Sequence, residues 1–286
     1  MDEKNFLEHF EEQVKKTIDD FELIAKGDKI LVACSGGKDS TTALYLLKKF
    51  GYKVEALFID LLLGRYSEKN FENIKKFCNE NKINLHTVSI RDEFGYKICY
   101  INSILKSKGY SIKNCTICGV MKRSIMNRKA RELNATKMAT GHNLDDEAQT
   151  IFMNFLQGNL SLCAKLGPKT GFIKDEKFVP RIKPLYFCPE EEIRKYSMLK
   201  KFPVLYEKCP CAIDTFRLEI KGYLNEIEKE NPGVKEKIVY NFIKILPKIK
   251  EYYKSDEKLK YCKICGEPSR KEICKACEIV RIMMGK

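Results

Sequence analysis

No stretch of this chain has the uninterrupted run of about 20 apolar residues that a membrane helix needs. Met1 to Asp20 is acidic, polar and helical in pattern, which excludes a secretory leader there. Internal repeats and low-complexity tracts are missing as well. Two familiar nucleotide signatures are absent: neither G-x-x-x-x-G-K-[ST] nor G-x-G-x-x-G occurs. The expectation is a soluble, intracellular, cytoplasmic protein whose nucleotide chemistry, if any, uses another loop.

What is present points the same way. At 286 residues and 44% hydrophobic content, the chain can hold one large core and a smaller appendage. Its net charge of +14 favours a polyanionic partner. Residues 241–263 concentrate that charge, with seven lysines against three acidic residues and Tyr252 and Tyr253 among them. Thirteen cysteines in a chain with no sign of secretion read as metal ligands or catalysts rather than disulfides. Five of them, Cys34, Cys78, Cys99, Cys163 and Cys188, have no close partner in sequence and are most simply packing residues.

Phe6, Phe10, Val14, Ile18 and Phe21 recur at helical spacing, which predicts a helix over 3–25 ended by Gly27-Asp28. Strand patterns at 29–34, 53–59, 84–90 and 136–141 then alternate with helix patterns at 41–47, 68–81, 122–134 and 145–157. That order implies an α/β fold, a parallel sheet with helices on both faces. Residues 159–183 read as a surface loop or hairpin. Helices return at 190–201, 215–230 and 234–253, and the last 25 residues form a separate cysteine-rich module.

The stretch VACSGGKDSTTAL (32–44) joins the first strand to a helix through two glycines, a lysine and two serines. A glycine turn at the carboxyl end of a strand is where open α/β sheets bind ligands. Ser40 and Thr41 could cap the helix and leave its first N–H groups for an anion, and Lys38 adds the charge that phosphate needs. A second turn, ATGHNLDDEAQT (139–150), follows another strand of the same sheet, so both border one crevice. Acids there complement a helix dipole, and beside a phosphate cradle they often hold Mg²⁺. Cys262-x-x-Cys265 and Cys274-x-x-Cys277 supply four thiolates in paired turns, a closed tetrahedral set suited to structural zinc. Cys115-x-x-Cys118 and Cys209-Pro210-Cys211 leave three readings open: a second zinc half-site, a redox pair, or an iron–sulfur cluster.

SGGKDS resembles the pyrophosphate loop of the N-type ATP pyrophosphatases. CTICGVMKR, ATGHNLDDEAQT, KCPCA and CKICGEPSRKEICKACEIV together resemble the 2-thiouridine synthetases of archaeal, eukaryotic and thermophile type. The resemblance spans the whole chain. It implies ATP binding at Ala33, Ser35, Gly36, Gly37, Lys38, Asp39, Ser40, Asp60 and Gly141. It implies a 4Fe–4S cluster on Cys115, Cys118 and Cys209, with Lys122 and Asp146 in catalysis alongside Cys115 and Cys209. The base's C2 oxygen would attack the α-phosphate, and sulfur would then displace AMP. Zn²⁺ on Cys262, Cys265, Cys274 and Cys277, and Mg²⁺ with ATP, complete the cofactors. The partners implied are tRNA and a sulfur donor, sulfide or a ubiquitin-like thiocarboxylate carrier, with a homodimer as the assembly and no membrane.

The implied divisions are an N-terminal helix (1–27), a PP-loop domain (28–213), a helical tRNA-binding extension (214–258) and a zinc module (259–286). Three features depart from the branch: Cys34 is the first cysteine, so no N-terminal zinc module precedes it; FIDLLLGRYSE lacks an Asp-Glu-Gly; and Cys211 stands where relatives have tyrosine. The competing readings are 2-thiocytidine synthesis, whose enzymes lack the terminal zinc site, and an RNA-binding metalloprotein with no turnover.

Overall fold

The computed structural model describes residues 2–171, 175–211, 216–254 and 260–285. The chain begins with α1 (Glu3–Asp20), β1 (Lys29–Cys34), α2 (Lys38–Lys49), β2 (Lys53–Asp60), α3 (Arg65–Glu80) and β3 (Leu85–Ser89). Next come α4 (Ile90–Phe94), α5 (Ile98–Ser107), α6 (Asn114–Glu132), β4 (Lys137–Ala139), α7 (Leu144–Leu156) and α8 (Leu160–Cys163). The hairpin strands β5 (Lys169–Thr170) and β6 (Arg181–Ile182) precede α9 (Glu190–Leu199), α10 (Phe216–Glu230) and α11 (Val234–Tyr252). A small hairpin, β7 (Lys260–Tyr261) and β8 (Pro268–Ser269), and then α12 (Lys275–Met283) finish it.

The sheet runs β3-β2-β1-β4-β6-β5, parallel throughout except for the β5–β6 pair. The central strand β1 shows why KILVAC is a continuous apolar run. Ile30 and Val32 face α1, α2 and α9 in the core that includes Phe10, Leu44 and Tyr196, while Leu31 faces α6 with Ala130 and Met138. A third core unites α7 with α10 and α11 around Ala148, Leu224 and Phe242. The fourth joins α5 and α6 to α12 through Ile101, Met121 and Ile279. The terminal cysteine-rich segment thus packs its helix onto the main body, in the core that Cys118 also joins. Among the described residues no helix is long and apolar enough to cross a membrane.

Several expectations need correcting. α1 stops at Asp20 with Phe21 as its C-cap, five residues short of the expected 25, because Phe21 turns to pack on Phe187. α2 starts at Lys38 with Gly37 as its N-cap, so Ser40 and Thr41 lie inside its first turn and do not cap it. The helices α4 and α5 were not expected. Of the five cysteines read as packing residues, four are buried, but Cys99 is exposed. The implied domain boundaries at 213/214 and 258/259 fall outside the described residues.

β1 and β4 are neighbours, so the loops that leave their carboxyl ends meet. A Cβ on Gly141 would lie 2.6 Å from the Ser40 backbone N and 2.7 Å from the Asp39 carbonyl carbon. Backbone cannot yield as a side chain can. Gly141→Ala should therefore cost roughly 1–3 kcal/mol through overpacking, read as a Tm several degrees lower. An unchanged Tm would mean that the two loops are free to part.

Candidate active site

The glycine loop closes on itself. The Ser35 N–H donates to Ser40 Oγ at 3.1 Å, and that hydroxyl donates to the Gly37 carbonyl at 3.2 Å. Gly36 has φ +80°, and a Cβ there would meet the Asn70 carbonyl oxygen at 2.6 Å, so α3 as well as the turn requires glycine. Gly37 has no such neighbour, with only Ser35 Oγ near, at 3.5 Å; its N–H donates to that hydroxyl at 3.4 Å and its backbone bridges to Leu205. Lys38 Nζ is held 3.0 Å from Asp39 Oδ2 and 3.0 Å from Glu190 Oε1. Burial works against its charge, but these two carboxylates prevail and raise its pKa. Burial lifts the pKa of Asp39, which also accepts from Asn143 Nδ2 at 3.1 Å. Ala33 and Asp60 are half-buried at the ends of their strands, and Asp60 accepts the Leu62 N–H at 2.8 Å.

Across the crevice, Asn143 caps α7: its Oδ1 accepts the Asp146 N–H at 3.0 Å, and Asp146 Oδ2 accepts the Asn143 N–H at 3.4 Å. Asp146 thus serves the helix start, as part of a capping box. It has a second partner, however: Arg217 Nη2 lies 3.1 Å from Asp146 Oδ1. Asp145 is taken by Lys235 at 2.5 Å and by the Glu190 N–H at 2.7 Å. Buried Glu147 holds Lys183 at 2.6 Å.

His142 hydrogen-bonds Thr140 Oγ1 at 2.8 Å. The residue keeps solvent-exposed surface, although the surrounding protein desolvates its ring. That enclosure, with Lys183, Arg217 and Lys122 nearby and only Asp146 opposing, pushes its pKa down to about 4. Lys122 also touches the Cys118 thiol, whose pKa burial raises despite the lysine. Lys122 thus reaches both the cysteines and the His142–Asp146 turn.

The cysteines sort by spacing. Cys262, Cys265, Cys274 and Cys277 have ligand atoms all within 4.8 Å of one another, and among the described residues they are the group that closes so tightly. Cys265 and Cys274 Sγ lie 3.7 Å apart, and a zinc tetrahedron with bonds of about 2.3 Å has edges of roughly 3.8 Å. Burial opposes ionisation of Cys262, but N–H groups of Cys274, Cys265 and Ile264 bring its pKa to about 6. The donor set fits zinc. Cys115, Cys118 and Cys209 converge, since Cys209 and Cys115 both act on the Cys118 thiol, but they do not close to 4.8 Å. A cubane's thiolates sit on separate irons and so stand further apart than four sulfurs on one zinc, which this wider set suits. Cys211 lies beside Cys99, Cys209 and Cys118, and burial with these neighbours pushes it up to about 12.

The structure thus packs Gly141 and the Asn143–Asp146 turn against the glycine loop, sets Lys122 beside Cys118 and close to His142, and bridges Gly37 to Leu205, just ahead of Cys209. Sequence reasoning missed Glu190, Arg217, Lys221 and Lys235. An acidic triplet after Pro189 looks like an ordinary helix start, and no spacing rule ties it to Lys38, 152 residues away. His142 carries one pH signature. With a folded pKa below the unfolded value, it leaves stability intact above about 6.5 and removes it as pH falls toward 4. Crevice water screens part of the effect. Melts of wild type and His142→Asn should coincide at pH 7 and diverge as the pH drops, with wild type losing more; parallel curves would show that the ring is not enclosed.

Comparison with known proteins completes the description. Residues 6–206 match the PP-loop domain family. A tRNA-5-methyluridine(54) 2-sulfurtransferase of Pyrococcus horikoshii is 39% identical, covering 96% of this chain and 86% of that one. One of the same name from Thermotoga maritima is 36% identical, covering 96% and 88%. The U34-tRNA thiolase NcsA of Methanococcus maripaludis, solved with its [4Fe-4S] cluster, aligns with a TM-score of 0.77 at 29% identity, covering 96% and 87%.

Proposed function

The chain belongs to the PP-loop family in its tRNA 2-thiolation branch, and from that membership we propose how its residues divide the work of making 2-thiouridine in tRNA. The protein is an ATP-dependent tRNA sulfurtransferase. The observation that supports this division of labour is the place of Lys122, beside the Cys118 thiol and close to the His142–Asp146 turn that packs on the glycine loop.

Ser35 to Ser40 hold the triphosphate. The first turn of α2 presents N–H groups and the charge of Lys38. Asp39 and Asp146, hard oxygen donors close enough to repel one another, would hold Mg²⁺. The uridine C2 oxygen attacks the α-phosphate and pyrophosphate leaves along the loop. Lys122 offsets the charge that develops, and Asp146, fixed by its cap and by Arg217, orients the base. Neutral His142 beside them adds no further cation. The activated C2 then meets a sulfur nucleophile, which displaces AMP. Cys115, Cys118 and Cys209 would hold the [4Fe-4S] cluster, which when bound supplies an iron free of protein ligand for inorganic sulfur.

A cavity of about 650 Å³ opens beside these thiols, lined by Asn102, Lys106, Lys113, Cys115 and Cys211 among others. Its two lysines suit an anionic donor, sulfide or a thiocarboxylate, and buried Asn102 brings an Oδ1 without a hydrogen-bond partner. The work is cytoplasmic, where tRNA is. Reconstitution with ATP, sulfide and unmodified tRNA, followed by nucleoside mass spectrometry, should yield 2-thiouridine; 2-thiocytidine would favour the sister reaction.

The ligand assignment has its own test. Anaerobically purified Cys209→Ala should lose its iron and keep its zinc, whereas Cys211→Ala should keep both metals. Iron lost only from Cys211→Ala would move the ligand by two residues.

Lys244, Lys248, Lys250, Lys254, Lys260 and Lys263 are exposed and support a tRNA face; Lys258 lies outside the described residues. Truncation after Tyr252 would remove α12 from its core, so substitution is the cleaner probe. Replacing Lys244, Lys248 and Lys254 by glutamine should weaken tRNA binding and flatten its salt dependence, by roughly 0.9 log per lost phosphate contact. An unchanged slope would remove this face from the interface.

A further inference from the structure

Glu190 opens α9 and carries two lysines from different elements. Its Oε1 accepts from Lys38 at 3.0 Å and its Oε2 from Lys221 of α10 at 2.5 Å. The side chains are 29% exposed for Glu190, 13% for Lys38 and 31% for Lys221. Burial penalises the carboxylate, yet the two lysines hold its pKa down to about 2. Its backbone is pinned by the Asp145 carboxylate at 2.7 Å, so it cannot easily swing away.

We propose that Glu190 competes with the phosphates of ATP for Lys38, and that Lys221 is the cation that makes Lys38's release affordable. This rests on the reading that Ser35 to Ser40 bind ATP. A triphosphate in the loop draws Lys38 toward itself and takes one of Glu190's two partners. With Lys221 in place, the half-buried carboxylate keeps a counter-ion. Without it, Glu190 would hold Lys38 alone, and each molecule of ATP would have to strip that carboxylate of its last cation. Asp39, also 3.0 Å from Lys38, is the ammonium's second carboxylate in this structure. Nucleotide affinity is therefore set by a residue that touches no nucleotide, through a helix packed on α7. Glu190 and Lys221 are positioning residues for Lys38.

The two substitutions have opposite signs, which a merely structural role would not give. Calorimetric titration of the full chain with Mg·ATP, without tRNA, should show Glu190→Gln binding roughly three- to tenfold tighter than wild type. Lys221→Met should bind weaker by a similar factor. In the Glu190→Gln background, Lys221→Met should have no further effect, because the lysine acts only through that carboxylate. Weaker binding by Glu190→Gln would overturn the proposal and make Glu190 a support for Lys38 or a metal ligand. An equal loss from Lys221→Met in both backgrounds would also overturn it, showing that the lysine attracts ATP directly. Should Glu190→Gln fail to fold, unchanged affinity in Lys221→Met alone refutes the proposal, since that side chain is partly exposed. Lys38→Ala keeps the two failures apart: if it binds ATP as wild type does, the loop reading itself is wrong.

Discussion

Everything in the crevice depends on two backbones touching where a side chain would not fit. Gly141 lies against the peptide between Asp39 and Ser40. That contact turns the carboxyl ends of two neighbouring parallel strands into one site. It brings the capping box of α7 beside the first turn of α2, so Asn143 reaches Asp39 and Asp146 feels its charge. The thiols join from the outer flank, where α6 begins and the Cys209 turn comes down. The apposition is cheap to specify, needing only a glycine, and costly to imitate with any other residue.

Charge is arranged in pairs around this contact. Lys38, Lys183, Arg217, Lys221 and Lys235 each face an acid, and those acids lie at the starts of α2, α7 and α9. Helix starts favour carboxylates on their own account. Here they also anchor α10 and α11 to the nucleotide crevice. The helices that follow the PP-loop domain are thereby in electrical contact with its chemistry, while the far end of α11 carries exposed lysines.

The repeating parts of this fold were legible in the sequence. The run KILVAC became β1 residue for residue, since a strand buried on both faces must be apolar throughout. Loop motifs were legible for a similar reason: glycine at 36 and 141 answers a steric demand that few other residues meet. Four cysteines in two knuckles announced a closed metal set because short loops fix their spacing. The end of α1 was misjudged because Phe21 fits both a helix stripe and a turn onto Phe187. Cys99 reads as packing yet is exposed, since a lone cysteine carries no mark of its neighbours. The ion pairs of Glu190 and Arg217 join residues 31 to 152 positions apart, and charge has no periodicity by which such a partner could be found.

The core of α5, α6 and α12 has a consequence for the order in which the molecule is made. Lys108 donates to the carbonyl of Ile282, 174 residues further on, and Ile279 and Met283 cover the same core as Met121. While the chain is being synthesised, the helix that opens with Cys115 and Cys118 has no roof until α12 has emerged. Closing so long a loop adds little entropy cost over a shorter one, but it cannot happen early. The cysteines nearest the chemistry therefore acquire their final surroundings after the rest of the sheet has set.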